Sequence, residues 1–335
     1  MTTAESAANA VVAAVQATPV FLDLDATVDR ACELTATAAA AGASLVVFPE
    51  AFVPGYPDWV WRTPAWSDGK LTGRLLANAV EVPSPSVDRL GAAAAEAGVY
   101  LAIGVNEADG GTLYNTLLYF APDGTLAGRH RKLMPTGGER TIWGAGDGSG
   151  LVAVPTPFGT VSGLICWENY MPLARAAVYA LGTDVYVAPT WDNSDTWVAT
   201  LQHIAKEGRV YVVGVNYCLR GSDVPADVPG RDELYGGDDD WLARGNTVIV
   251  GPGGDVLAGP LVGEEGIVYA DIDVALARAA RMQFDPVGHY GRPDVFRLSV
   301  DARQRRSVSF TEDEPDPPAS SGDLRRGDLG GGVGE

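Results

Sequence analysis

Two kinds of segment take turns along the chain. Short runs rich in Val, Ile, Leu and aromatic residues fall at Val11–Gln16, Ser44–Phe48, Tyr100–Val105, Val161–Cys166, Asp184–Ala188 and Val210–Val215, and each reads as a strand. Between them lie stretches with apolar residues at helical spacing: Ala26–Ala41 (stopped by Gly42), Val87–Ala97, Pro172–Leu181 (opened by its proline) and Thr196–Gly208. Strands that alternate with helices predict an α/β fold.

Two hairpins interrupt the alternation. Leu117–Phe120 turns at Asp123–Gly124 into Thr125–Gly128, and Thr247–Val250 turns at Gly253–Gly254 into Val256–Gly259. Glycine supplies the positive φ that such turns need. Both hairpins carry a proline at the turn (Pro122, Pro252) and Leu-Ala-Gly after it (Leu126–Gly128, Leu257–Gly259). The echo suggests two similar sheets, one from each half of the chain; a coincidence of hairpin chemistry is the alternative.

From Thr311 the character changes. Glu312–Ala319 is acidic and Pro-rich and Gly327–Glu335 is mostly glycine, so residues 311–335 are expected to be a disordered tail beyond a folded domain of 1–310. At the other end, Ala7–Ala17 is apolar but lacks a basic n-region, and it fits a first buried strand better than a signal peptide. No run reaches the roughly 18 apolar residues that a membrane span needs. A cytoplasmic location is expected.

Composition narrows the partners. With 43 acidic against 24 basic residues in 335, the net charge is −19, which excludes nucleic acid and anionic membrane as attracted partners. Cys32, Cys166 and Cys218 are too few and too scattered for a disulfide framework. His130, His203 and His289 share no metal-ligand spacing, so a zinc site is not expected. The Gly144–Gly150 stretch lacks the Gly-Lys-Ser/Thr ending of a phosphate loop and reads as a tight connection.

Three polar residues sit where an apolar run ends. Glu50 closes SLVVFPE, Lys132 follows the first hairpin, and Cys166 ends Val161–Cys166. Ligands of open α/β sheets collect at the carboxyl ends of strands, so these placements point to one site. Each residue has a plainer reading: a core thiol, a solvated or capping carboxylate, a member of an exposed basic face. Cys166, however, is followed at once by Trp167, Glu168 and Asn169, which places it on a strand-to-helix elbow where a nucleophile faces a cleft. Cys32 and Cys218 have no such neighbourhood and read as structural.

The strings around these residues resemble the signature segments of the nitrilase superfamily: SLVVFPEAFVPGYP (44–57), HRKLMPT (130–136) and GLICWENYMPLAR (163–175). The resemblance continues through GGERTIWGAGDGSG (137–150), TWDNSDTW (190–197), HIAKEGR (203–209) and GHYGRPDVFRL (288–298), from Val11 to about Asp301. Ser162 departs from the usual glycine. The resemblance implies a four-layer αββα sandwich with a Glu50–Lys132–Cys166 catalytic triad, no cofactor and no metal. It also implies a second glutamate near the triad, at Glu139; an ion pair with Arg140 or Arg131 is the alternative there. Trp167, Trp191 and Tyr56 lie in matching segments and are candidates to line an apolar substrate pocket, with core packing as the alternative and the favoured one for Tyr56. His130 and His203 are taken as structural.

Chemistry and resemblance agree on roles. A free thiol is only a few per cent ionised at neutral pH, so it needs a base, here Glu50. Positioned proton transfer contributes about 10²–10⁴-fold. Lys132 would stabilise the thiolate and the charge developing on nitrogen. Trp167-Glu168 with the Tyr-Met-Pro-Leu that follows, and the Trp-rich Asp58–Trp66, look like the nitrile-cleaving branch. The expected activity is hydrolysis of a small-molecule nitrile to the acid and ammonia. An amidase or carbamoylase of the same superfamily is the alternative, and a non-catalytic assembly or binding protein a third. The resemblance further implies homodimers that build into larger, spiral homo-oligomers.

Overall fold

The computed structural model describes residues 9–237, 239–305 and 308. The tail expected over 311–335, and the boundary expected at 310, lie outside the described residues. All the elements fall in the first of two contact-defined units, which ends at Arg303.

Strands β1 (Ala10–Gln16), β2 (Leu45–Val47), β3 (Val80–Glu81), β4 (Tyr100–Asp109), β5 (Thr112–Phe120) and β6 (Leu126–Arg131) lie in one sheet. Strands β7 (Val154–Thr156), β8 (Gly159–Gly163), β9 (Val185–Pro189), β10 (Tyr211–Val215), β11 (Cys218–Arg220), β12 (Trp241–Val250) and β13 (Val256–Val262) form a second. The last strand, β14 (Gly266–Ile272), returns to the first sheet and pairs antiparallel with β1 from end to end. Each half of the chain thus builds one sheet, apart from β14, and the two expected hairpins are the pairs β5–β6 and β12–β13.

Side-chain alternation along the strands sorts the layers. In β1, Val12 and Ala14 join the core between the sheets, while Ala13 and Val15 join the core under helices α1 (Leu24–Ala40), α2 (Gly69–Ala77) and α3 (Pro85–Ala97). In β9, Val185 and Val187 face the first sheet, and Tyr186 and Ala188 pack beneath α4 (Pro172–Ala180) and α5 (Asp195–Gly208). Strands buried on both faces read as continuous apolar runs, which is why they are legible in the sequence. Three apolar cores separating helix, sheet, sheet and helix layers make the expected αββα sandwich. Two further helices, α6 (Arg231–Tyr235) and α7 (Val274–Arg281), are short, and none among the described residues is long and apolar enough to cross a membrane.

A further hairpin, β4–β5, is not expected from the sequence. β4 runs on past Val105 to Asp109, the chain turns at Gly110–Gly111, and β5 begins at Thr112, ahead of Leu117. Asn106, Glu107, Asn115 and Thr116 interrupt the apolar run there, yet all four are buried.

Topology puts the candidate residues on one edge. β1, β2 and β4 are parallel, and two antiparallel steps bring β6 parallel to them. In the second sheet β8, β9 and β10 are parallel. Glu50 follows β2, Lys132 follows β6 and Cys166 follows β8, so all three leave carboxyl ends of strands. Between β2 and Glu50 the chain stays against β4: Phe48 N–H donates to Ala102 O, and Val53 N–H to Gly104 O. A Cβ on Gly104 would stand 2.3 Å from Pro49 O and 2.4 Å from Ala51 N, so only glycine lets the Glu50 segment lie this close. Gly104→Ala is therefore expected to cost about 1–3 kcal/mol, typical of overpacking. A thermal melt checks this, and a melting temperature equal to wild type would show that the segment can yield.

Candidate active site

β8 ends at Gly163, so the strand expected through Cys166 is three residues too long. The last link to the neighbouring strand is Leu164 N–H to Val187 O at 3.2 Å, and a 3₁₀ turn then begins at Cys166. Cys166 itself has φ +52°, the left-handed region. Such a conformation costs a non-glycine residue roughly 1–3 kcal/mol and persists only where its surroundings over-determine it. Here they do. Asn169 Nδ2 donates to the carbonyls of Leu164 (3.0 Å) and Cys166 (2.8 Å), and Tyr186 OH donates to Asn169 Oδ1 at 2.7 Å. Ser162, the departure from the usual glycine, is accommodated by a bond from its hydroxyl to Val152 O at 2.6 Å.

Glu168 ties this elbow to the Lys132 segment. Its buried carboxylate accepts Ile165 N–H and Leu133 N–H, each at 2.7 Å, and lies 3.0 Å from His130 Nε2. His130 Nδ1 lies 2.9 Å from Gly150 O. A carbonyl only accepts, and Glu168 already accepts two backbone donors, so both ring nitrogens of His130 are best used as donors. Burial works against a charged imidazole, but the Glu168 carboxylate and the Gly150 carbonyl outweigh it and raise the His130 pKa. His130, expected to be structural, forms one half of a buried clamp with Glu168. His203 stands exposed on α5, 3.6 Å from Glu207.

Lys132, Glu50 and Glu139 meet in the interior. Lys132 Nζ lies 3.1 Å from Glu50 Oε1 and 2.7 Å from Glu139 Oε2, and all three side chains are buried. Glu139 therefore pairs with Lys132, not with Arg140 or Arg131; Arg140 bonds Pro135 O and Arg131 pairs with Glu107 and Asp109. Tyr56 OH donates to Glu139 Oε1 at 2.7 Å and Thr136 N–H to its Oε2 at 2.6 Å. Glu50 accepts Asn115 Nδ2 on Oε1 and Trp191 N–H on Oε2, both at 2.8 Å. Two carboxylates thus share one ammonium.

The electrostatics follow from that count. Burial pushes the Glu50 carboxyl up; Lys132 opposes this and Glu139 reinforces it. Burial also pushes the Cys166 thiol well up, Glu50 adds to the rise, and Lys132 opposes it. For Lys132 burial disfavours the charge, but Glu50, Cys166 and Glu139 outweigh it and hold the ammonium protonated. The resting thiol is therefore neutral, beside a carboxyl poised to exchange a proton.

Cys166 and Glu139 open onto a cleft of about 920 Å³, walled by Tyr56, Trp61, Trp167 and Trp191. All three aromatic residues expected at the pocket border it. Tyr56 is both core and wall: it is 1% exposed and stacks on Trp191 with ring centroids 4.5 Å apart. Trp167 is half exposed, and its indole donates to Asp192 Oδ2 at 2.9 Å.

A family model for carbon-nitrogen hydrolases matches residues 11–282. The chain belongs to this family. It is 48% identical over 303 residues to an aliphatic nitrilase of Sinorhizobium fredii (strain HH103), covering 88% of this chain and 97% of that one. It is 45% identical to a bifunctional nitrilase/nitrile hydratase of Nicotiana tabacum, covering 89% and 87%. Among solved structures it resembles Saccharomyces cerevisiae Nit3, a member of branch 10 of the nitrilase superfamily, with TM-score 0.65 and 23% identity over 84% of this chain and 96% of that one. The fold is that of the nitrilase superfamily.

Several residues that hold this candidate site together are not marked in the sequence: Asn115, Asn169, and Glu168 in its clamping role. Their common signal is a polar residue in or beside an apolar run, where burial demands a partner. The clamp has a pH signature. A His whose folded pKa is raised above about 6.5 contributes stability that is full below that value and is lost as pH rises through the folded value. The melting temperature of His130→Gln should fall furthest below wild type near pH 6, by the equivalent of about 1.5–3 kcal/mol, and the gap should narrow on the alkaline side. A gap that widens with pH would mean the ring is neutral.

Proposed function

We propose that the chain is a nitrilase, hydrolysing an organic nitrile to the carboxylic acid and ammonia with Cys166 as nucleophile. The observation that carries the reading is a cysteine on a strained elbow that opens onto the cleft, backed by the buried Glu50–Lys132–Glu139 cluster. The names of the 43–48% identical relatives, all nitrilases, favour nitriles over amides. In this reading the hydrolase domain is 1–310, and the enzyme is cytoplasmic and assembles into homodimers and larger spirals. Exposed apolar residues such as Leu173, Leu181 and Phe296 are compatible with such contacts.

The chemistry runs through Glu50 as proton carrier. The thiol proton passes to Glu50 as sulfur bonds to the nitrile carbon, and Glu50 returns it to nitrogen, leaving a thioimidate. Glu50 takes a proton from water as its oxygen adds to carbon, giving a tetrahedral intermediate. Delivered to nitrogen, that proton makes an amine; Glu50 then carries the intermediate's hydroxyl proton to the same nitrogen as the carbonyl forms, so ammonia leaves and a thioester remains. A second water, activated in the same way, releases the acid and the thiol. Lys132 opposes the negative charge that builds on nitrogen and oxygen, worth most where water is excluded. Glu139, held by Tyr56 OH and Thr136 N–H, keeps Lys132 aimed and charged. Trp167, Trp191 and Tyr56 line the substrate cleft.

If sulfur leaves the tetrahedral intermediate before ammonia, the product is an amide. The bifunctional nitrilase/nitrile hydratase name of the tobacco relative favours some of this outcome here. Incubation with aliphatic and aryl nitriles and the matching amides, assayed for ammonia and for amide, tests the reading. Ammonia from nitriles is expected, with amide as a minor product, and Cys166→Ala and Lys132→Met should each lose about 10³-fold or more, at least in the upper half of the ~10²–10⁴-fold that one proton-transfer group contributes. Ammonia from amides alone would replace nitrilase by amidase. Turnover that survives Cys166→Ala would sink the covalent mechanism.

A further inference from the structure

The residue after β9, Thr190, reaches the candidate nucleophile. Its Oγ1 lies 3.1 Å from Cys166 Sγ, and the side chain is fully buried. The same oxygen accepts Asp192 N–H at 2.9 Å. With that acceptor direction taken, the hydroxyl proton is free to point at sulfur. The turn that carries it is pinned at four places. Thr190 N–H donates to Val215 O at 2.9 Å, Trp191 N–H to Glu50 Oε2 at 2.8 Å, Asn216 Nδ2 to Asp192 O at 2.7 Å, and Trp167 Nε1 to Asp192 Oδ2 at 2.9 Å. One turn therefore holds the base by a backbone N–H and the sulfur by a hydroxyl.

We propose that Thr190 is a further catalytic residue, donating a hydrogen bond to the Cys166 sulfur whenever that sulfur carries charge. The inference rests on Cys166 being the nucleophile. Lys132 directs two of its three N–H donors at Glu50 and Glu139 and acts on the sulfur through its charge, whereas the Thr190 hydroxyl is placed to donate to the sulfur directly. As the thiol proton passes to Glu50, the Thr190 O–H is in place and no group has to reorient. Sulfur is anionic again when the C–S bond of the last tetrahedral intermediate breaks and it keeps the electron pair, before Glu50 returns the proton. The same hydroxyl thus serves attack and release. The charged groups around the sulfur are Glu50 after β2, Lys132 after β6 and Glu139 beyond it, and none is altered by substituting Thr190.

The intact protein is treated with iodoacetamide across pH, and alkylation of Cys166 is followed by peptide mass spectrometry, with Cys32 and Cys218 as internal references. Thr190→Val is expected to move the Cys166 midpoint upward and to slow alkylation below it by about 10- to 100-fold, the equivalent of one hydrogen bond to a charged group. kcat should fall by a similar factor with KM little changed. Thr190→Ser, which keeps both the donor and the acceptor, should restore the wild-type profile. Should Val disturb the fold, Thr190→Ala makes the same deletion. A folded variant without the hydroxyl whose Cys166 profile superimposes on wild type overturns the inference and leaves the nitrilase reading standing. Turnover of nitriles by Cys166→Ala overturns the inference together with the covalent mechanism on which it rests.

Discussion

Lys132 is the point on which the site depends. Its ammonium is wholly buried, and a lone charge there would be expelled or neutralised. It stays because two carboxylates from different segments close on it, at 3.1 and 2.7 Å. Burial raises the Glu50 carboxyl, and Glu139 adds to the rise while Lys132 opposes it, so Glu50 is a better proton acceptor than a solvated carboxylate. Proton exchange with a neighbouring thiol is the chemistry such a cluster is fit for. Its surroundings are fixed to match: Asn115, Trp191 N–H, Tyr56 and Thr136 N–H each aim a donor at a carboxylate oxygen.

The fold supplies the convergence. Parallel strands of both sheets end on one edge, and short loops deliver Glu50, Lys132, Cys166 and Thr190 from there. Precision comes from side chain to backbone bonds. Glu168 is the clearest case, since its carboxylate bonds the residue after Lys132 and the residue before Cys166. Movement of either loop would have to break a buried charged contact.

Much of this was legible in the sequence, for identifiable reasons. Strands covered on both faces leave apolar runs, so β1, β9 and β10 stand out, and the signature strings locate Glu50, Lys132, Cys166 and Glu139. The polar scaffold was not legible. Asn115 sits in Thr112–Phe120 with no hint in its neighbours that it faces a carboxylate 65 residues away. The end of β8 was missed because Leu164 and Ile165 are apolar whether the backbone is strand or elbow. Apolarity reports burial, and the φ of Cys166 is set by Asn169 in the 3₁₀ turn and Tyr186 in β9.

The return of β14 to β1 gives the protein a schedule. The two strands are separated by about 250 residues of chain, and a ribosome adding roughly 5–20 residues per second needs about 12–50 s to supply the partner. Through that interval one edge of β1, an alanine- and valine-rich strand, has no strand to bond. Exposed apolar edges of that kind recruit other chains. Dilution and capture by folding helpers therefore matter most while the carboxyl-terminal third is still being made, and a chain cut short before residue 266 keeps that edge open for its lifetime.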